Sequence, residues 1–137
     1  MKIIERKPVI ADKVGRVIKN GVITEPHEDS TILYLTQFGI DVELLKPKNT
    51  PKIKNADIFI MGSVWEMKSP TSFKKSTIKE NFRKASSQAD RIIFDLRRVK
   101  KHADEVEKYI LSLFRGKGEI RKLIIITKDG RLLAYSK

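Results

Sequence analysis

The chain has 137 residues, 40% of them hydrophobic, which is the size of one ordinary domain and enough to bury a core. It contains no cysteine, which excludes disulfides and thiolate zinc sites, and it shows neither a signal peptide nor the roughly 20-residue apolar run that crosses a bilayer, so a soluble domain is predicted. The 29 Lys and Arg residues outnumber the 17 Asp and Glu residues, and the formal net charge of +12 indicates a polyanionic partner, most often nucleic acid and less often an anionic membrane or an acidic protein.

The first 23 residues are predicted to form a peripheral β element. Two β-prone runs, residues 14–18 and 22–23, flank Asn20-Gly21, a dipeptide typical of hairpin turns. This pattern predicts a hairpin at the margin of the domain that carries no recognisable chemistry.

A helix is predicted over residues 25–38. Thr24 can cap it, Pro26 suits its first turn, and Gly39 can supply a left-handed stop. The apolar positions form a stripe that begins one turn earlier at Glu28, so this carboxylate is expected on the inward edge of the helix.

A half-buried strand is predicted over residues 40–45, where apolar and acidic side chains alternate. A loop rich in Lys and Pro follows at residues 46–55. This loop and two further basic clusters are expected to contact the phosphates of a nucleic acid, through Lys46, Lys48, Lys52, Lys54, Lys74, Lys75, Arg97 and Arg98.

Residues 57–68 are predicted to form a tight β-hairpin. Two apolar, β-prone runs, residues 57–61 and 64–68, are joined by Gly62-Ser63 as a two-residue turn. The register of that turn predicts the pairs on one face of the sheet, Phe59 opposite Glu66 and Asp57 opposite Lys68.

Two carboxylates beside a lysine form a natural seat for a divalent cation and an activated water. Asp57, Glu66 and Lys68 would supply these groups on one face of the hairpin. The alternative is an ordinary salt bridge between Lys68 and either acid on a half-exposed sheet.

The remainder of the chain alternates helices and strands. Short loops and sequential hairpins favour a single α/β domain with a mixed central β-sheet flanked by helices. The predicted elements are a helix over 76–88, an apolar strand over 91–96, a helix over 103–114, and a hairpin formed by 120–127 and 132–135.

This order resembles the PD-(D/E)xK nuclease superfamily over roughly residues 24–96, with Glu28 on the first helix, Asp57 opening one strand and Glu66-Met67-Lys68 on the next. Ala56 stands where the superfamily's name has proline. Residues 56–70, with the string Trp-Glu-Met-Lys-Ser-Pro, look most like the C-terminal tRNase toxin domain of contact-dependent growth inhibition (CdiA) proteins. The resemblance implies one nuclease domain, with a restriction-endonuclease-like catalytic core at 24–96 between the peripheral element at 1–23 and a C-terminal helix and hairpin at 97–137.

The resemblance also implies a metal site. Asp57 and Glu66 would hold a divalent ion, Mg²⁺ first and Mn²⁺ or Zn²⁺ as alternatives, with help from the backbone carbonyl of Met67. Glu28 would contact the ion directly or through water.

Catalytic roles follow from the same resemblance. Lys68 would orient or deprotonate the attacking water and stabilise charge that develops on the phosphorus centre. Gln88 is similar to the polar residue that some members place on the second helix near the site, although an exposed residue at the helix end is an equal alternative. A single-histidine mechanism centred on His27 is the metal-free alternative.

The leading functional hypothesis is a metal-dependent nuclease that cleaves tRNA as a toxin. It would be delivered by a secreted or cell-surface protein, act in the cytoplasm of the target cell, and be held inactive in its producer by an acidic immunity protein. A DNA endonuclease of the same fold and a noncatalytic nucleic-acid-binding module are the alternatives, because the catalytic pattern does not distinguish RNA from DNA.

Overall fold

One mixed β-sheet of eight strands organises the protein in the computed structural model, which describes residues 2–6, 13–46, 57–116 and 118–137. No described helix combines the length and the apolarity needed to cross a bilayer. In chain order the elements are β1 (Lys2–Arg6), β2 (Val17–Ile18), α1 (Pro26–Thr36), β3 (Val42–Leu44), β4 (Ile58–Ile60), β5 (Ser63–Lys68), α2 (Lys75–Ser86), β6 (Arg91–Asp95), α3 (Ala103–Gly116), β7 (Lys122–Ile126) and β8 (Leu132–Ser136).

The centre of the sheet is parallel and its flanks are largely antiparallel. The strand order is β1-β8-β7-β6-β5-β4-β3-β2, with β5, β6 and β7 parallel to one another. Strands β6 and β7 are covered on both faces, which is why they are nearly continuous apolar runs, such as Ile92, Ile93 and Phe94, all with no exposed surface. The predicted α/β domain with a mixed sheet is confirmed.

The helices form two layers around the sheet. Helices α2 and α3 cover one face through Phe82 and Ile110, which pack against strand residues such as Phe94. Helix α1 covers the other face, where Leu35 packs in a cluster that includes Trp65. Because strand residues alternate between faces, Glu66 and Lys68 of β5 point away from the α1 cluster that contains Trp65 and Met67.

The predicted N-terminal hairpin is wrong. Asn20 and Gly21 do form a turn, with φ angles of 51° and 72°, but residues 22–25 directly after it do not form a strand, and β2 pairs in parallel with β3. The Asn20 side chain donates a 2.9 Å hydrogen bond to the carbonyl of Leu44, which ties the turn to β3 and directs the chain into α1. The first 23 residues are also not one element, since β1 and β2 lie at opposite edges of the sheet.

The hairpin of β4 and β5 forms, but its turn lies one residue earlier than predicted. Met61 and Gly62, with φ angles of 49° and 79°, are the central residues, as a two-residue turn of the primed type requires. Phe59 therefore pairs with Val64 rather than with Glu66. This change moves each partner by two residues, and an even shift leaves every side chain on its predicted face.

Most other predicted boundaries agree with the structure to within two residues. The cap of helix α1 differs from the prediction, because it is Glu25 rather than Thr24, and the helix ends at Thr36. Gly39, with φ of 78°, supplies the predicted left-handed position after it.

Candidate active site

A cavity of about 280 Å³ opens between the N-terminal turns of α1, the start of β4 and the C-terminal half of β5. It brings together most of the residues that the sequence predicts for the site, although their roles stay predictions. The lining residues are His27, Glu28, Thr31, Asp57, Glu66, Met67, Lys68 and Ser69.

Glu66 is the most unusual residue of this cavity, since it is a carboxylate with only 5% of its surface exposed. Its Oε1 is buried without a hydrogen-bond partner, and its Oε2 lies 3.8 Å from Nζ of Lys68. Burial raises the pKa of Glu66 to about 9, the nearby Asp57 carboxylate acts in the same direction, and the Lys68 ammonium opposes the rise only in part. A proton shared between the two carboxylates is the arrangement that such proximity favours.

Asp57 lies directly before β4 and is held in place by the neighbouring strand. The backbone N–H of Met67 donates a 2.8 Å hydrogen bond to Oδ2 of Asp57. The carboxylate of Asp57 thus takes the place of a strand partner for Met67, and this bond fixes it beside Glu66.

Helix α1 brings Glu28 and His27 to the opposite wall of the cavity. One oxygen of Glu28 accepts a 2.9 Å hydrogen bond from the N–H of Glu25, so this carboxylate also caps its own helix. Within the described residues, no three His, Asp or Glu side chains lie close enough together to hold a metal ion. The unpartnered oxygen of Glu66 beside Asp57 nevertheless suits a divalent cation, which takes oxygen ligands.

A buried ion pair, at the end of β6, anchors α1 above the sheet. Asp95, only 2% exposed, accepts hydrogen bonds from Thr31 Oγ1 at 2.7 Å and from the Arg97 guanidinium at 2.7 and 2.9 Å. Arg97 also donates to the carbonyl of Ser30 at 3.0 Å and lies 4.6 Å from the ring centroid of Tyr34. Arg97 is thus engaged within the protein, and the phosphate contact expected of it stays a prediction.

Gln88 does not line the cavity. It lies in the turn between α2 and β6, and since β5 and β6 are parallel, this turn is at the opposite end of the sheet from Lys68. Thr77 and Asn81 of α2 instead line a neighbouring cavity that Lys68 also lines. Their spacing of four residues puts them on one helical face, a signal that could have identified them from the sequence.

Only some of the lysines predicted to contact nucleic acid lie within the described residues. Lys46, at the end of β3, and Lys74 and Lys75, at the start of α2, are exposed. Lys75 lies 5.5 Å from the ring centroid of Tyr109. The other lysines of the first basic loop, Lys48, Lys52 and Lys54, lie outside the described residues.

Comparison with known proteins identifies relatives of this chain. A family model described as the contact-dependent growth inhibition CdiA C-terminal domain matches residues 54–132, more than half of the chain. A solved structure with the same fold is the CdiA-CT/CdiI toxin and immunity complex from Burkholderia pseudomallei, at a TM-score of 0.68 and 23% sequence identity, covering 90% of this chain and 100% of that chain. No curated protein matches the chain.

Proposed function

Because the chain belongs to the contact-dependent growth inhibition CdiA C-terminal domain family, we propose that it is a toxin domain that acts as a metal-dependent nuclease on tRNA. The observation that carries the proposal is the buried, unpartnered oxygen of Glu66 beside Asp57 and Lys68. A buried carboxylate without a hydrogen-bond partner does not stabilise the fold, whereas in a phosphodiesterase it can bind a metal ion or take part in proton transfer.

The residues that would hold a divalent ion are Asp57, Glu66 and the carbonyl of Met67, with Glu28 in direct or water-mediated contact. This set corresponds to the PD-(D/E)xK pattern. When bound, the ion supplies Lewis acidity for the phosphoryl oxygens and lowers the pKa of a coordinated water.

Lys68 lies where a side chain could orient the attacking water. Its ammonium lies 3.8 Å from Glu66, which keeps a positive charge at the mouth of the cavity. From there it can orient the water and stabilise the negative charge that develops on the phosphate. Asp57, fixed by Met67, keeps the second carboxylate in register with Glu66.

The net charge of +12 and the exposed lysines support a nucleic-acid substrate. Contacts with phosphates depend on charge rather than on sequence and weaken with added salt. The choice of tRNA rests on the resemblance of residues 56–70 to tRNase toxin domains.

An acidic immunity protein is the proposed partner. The solved structure of similar fold is itself a complex of a toxin with an immunity protein. Complementary charge would speed capture of a +12 domain, and a partner over the cavity would block access to Glu66.

The first experiment incubates the purified protein with tRNA and with duplex DNA, each with and without EDTA. We expect cleavage of tRNA that EDTA abolishes and that Glu66→Gln lacks. Cleavage of DNA alone would support a DNA endonuclease, cleavage resistant to EDTA would support a mechanism based on His27, and binding without cleavage would support a noncatalytic module.

A second experiment tests the toxin assignment. Expression of the wild-type domain in bacteria should arrest growth, and Glu66→Gln should relieve the arrest at equal protein levels. Normal growth with soluble, folded wild-type protein would contradict the assignment.

A further inference from the structure

A second cavity, of about 240 Å³, adjoins the first on the side of α2. Lys68 and Ser69 line both cavities, so the two lie side by side. The far wall of the second cavity is formed by Thr77 and Asn81 of α2 and by Arg98, which follows β6.

Arg98 differs from its neighbour Arg97 in how its charge is used. Arg97 forms an ion pair with the buried carboxylate of Asp95. Arg98 is exposed, and none of the ion pairs in the described part of the chain includes it. Its Nη1 donates a 3.0 Å hydrogen bond to the carbonyl of Ser69, which holds the guanidinium at the rim and leaves its other N–H groups for a ligand.

Apart from Pro70, the rest of the lining is polar, and no acidic side chain of the described residues is part of it. Hydroxyl groups come from Thr71 and Thr77, an amide comes from Asn81, and Oγ of Ser69 is buried without a hydrogen-bond partner. The two cationic side chains, Lys68 and Arg98, and the uncharged hydrogen-bond donors can together bind an anion whose oxygens accept several hydrogen bonds, as phosphate oxygens do.

We propose that this second cavity binds the substrate phosphate next to the scissile one, with Arg98 as its main ligand and Thr77 and Asn81 as supporting donors. The inference rests on the proposed nuclease function, because the shared residue Lys68 links the second cavity to the site of cleavage. Binding of this neighbouring phosphate would fix the position of the scissile phosphate over Glu66 and Lys68.

The test measures tRNA binding by fluorescence anisotropy as a function of salt, in the Glu66→Gln background so that cleavage does not interfere. We expect Arg98→Ala to weaken binding roughly tenfold, the scale of one hydrogen-bonded charge contact. It should also reduce the slope of log K against log salt by about 0.7–0.9. The double variant Thr77→Ala/Asn81→Ala should weaken binding with an unchanged slope, because it removes no charge.

Arg83→Ala is the matched control, since Arg83 is an exposed arginine of α2, the helix that carries Thr77 and Asn81, and it pairs with Glu80. Its affinity and slope should equal those of the parent. Equal losses for Arg98→Ala and Arg83→Ala would overturn the proposal in favour of diffuse surface charge, and so would an unchanged slope for Arg98→Ala.

Poly-L-glutamate is the second probe, and it separates phosphate recognition from binding of any polyanion. The Arg98→Ala and Arg83→Ala variants should bind it with equal affinity. A loss specific to Arg98→Ala would overturn the phosphate assignment in favour of an acidic protein. Failure of the wild type to cleave any nucleic acid would refute the nuclease function separately, since the binding assay does not depend on cleavage.

Discussion

Two buried carboxylates on neighbouring parallel strands differ in how their charge is satisfied. Glu66 of β5 is 5% exposed and Asp95 of β6 is 2% exposed. Asp95 accepts hydrogen bonds from Thr31 and from the guanidinium of Arg97. Glu66 has one oxygen without a partner and a lysine at 3.8 Å from the other.

The difference separates a structural acid from a candidate functional one. A buried charge that is fully paired costs little further and ties elements together, as Asp95 ties α1 to β6. A buried carboxyl group left without a hydrogen-bond partner destabilises the fold and persists where a ligand completes it. Both carboxylates are buried, so it is the missing hydrogen-bond partner of Glu66 that marks this residue as part of the candidate active site.

The largest expected effect is on catalysis. Glu66→Gln and Lys68→Ala should each reduce the cleavage rate by about 10²–10⁴-fold, the usual contribution of an acid–base or charge-stabilising group, while circular dichroism stays unchanged. His27→Ala is the comparison variant and should retain activity. The opposite pattern, in which only the His27 variant is inactive, would favour the histidine mechanism.

The largest loss of stability is expected on substitution of Asp95, the fully hydrogen-bonded carboxylate. Asp95→Ala should lower the free energy of unfolding by about 3–5 kcal/mol, because Arg97 is left without its buried partner. Urea denaturation measures this, and the double variant Asp95→Ala/Arg97→Ala should lose less than the sum of the single variants. A loss below about 1 kcal/mol would make the two carboxylates equivalent and remove the distinction.

Divalent ions should stabilise the folded protein by binding at Glu66 and Asp57 and not at Asp95. At 100-fold excess over the dissociation constant, Mg²⁺ or Mn²⁺ should add about 2.7 kcal/mol to the stability of the wild type. Asp57→Asn and Glu66→Gln should lose this gain, and Asp57→Asn keeps an oxygen that can accept the hydrogen bond from Met67. An equal gain for the wild type and Glu66→Gln would place the ion elsewhere.

A further effect concerns pH in metal-free buffer. The folded-state pKa of Glu66 lies near 9, above its ordinary value of 4.5, so its stabilising contribution is complete below pH 4.5 and is lost as the pH rises through 9. Glu66→Gln should therefore melt at about the wild-type temperature near pH 4.5 and at a higher temperature near pH 8.5. Identical melting profiles at both pH values would show that the Glu66 carboxylate is solvated and ordinary.

The sequence determined the identity of most elements and the common face of Asp57, Glu66 and Lys68. Apolar periodicity and turn residues are local signals, and side-chain direction in a strand has a period of two. The turn at Met61-Gly62 was missed by one residue, but the resulting even shift in pairing preserved the face.

Only the tertiary structure decided which buried carboxylates have hydrogen-bond partners and which residues line the cavities. Thr31 meets Asp95 across 64 residues of sequence, and the opposite placement of Gln88 and Asn81 relative to Lys68 follows from the parallel pairing of β5 with β6. The two N-terminal strands likewise lie at opposite edges of the sheet. Such contacts depend on strand order and on the path of the chain between elements, and local sequence does not encode these.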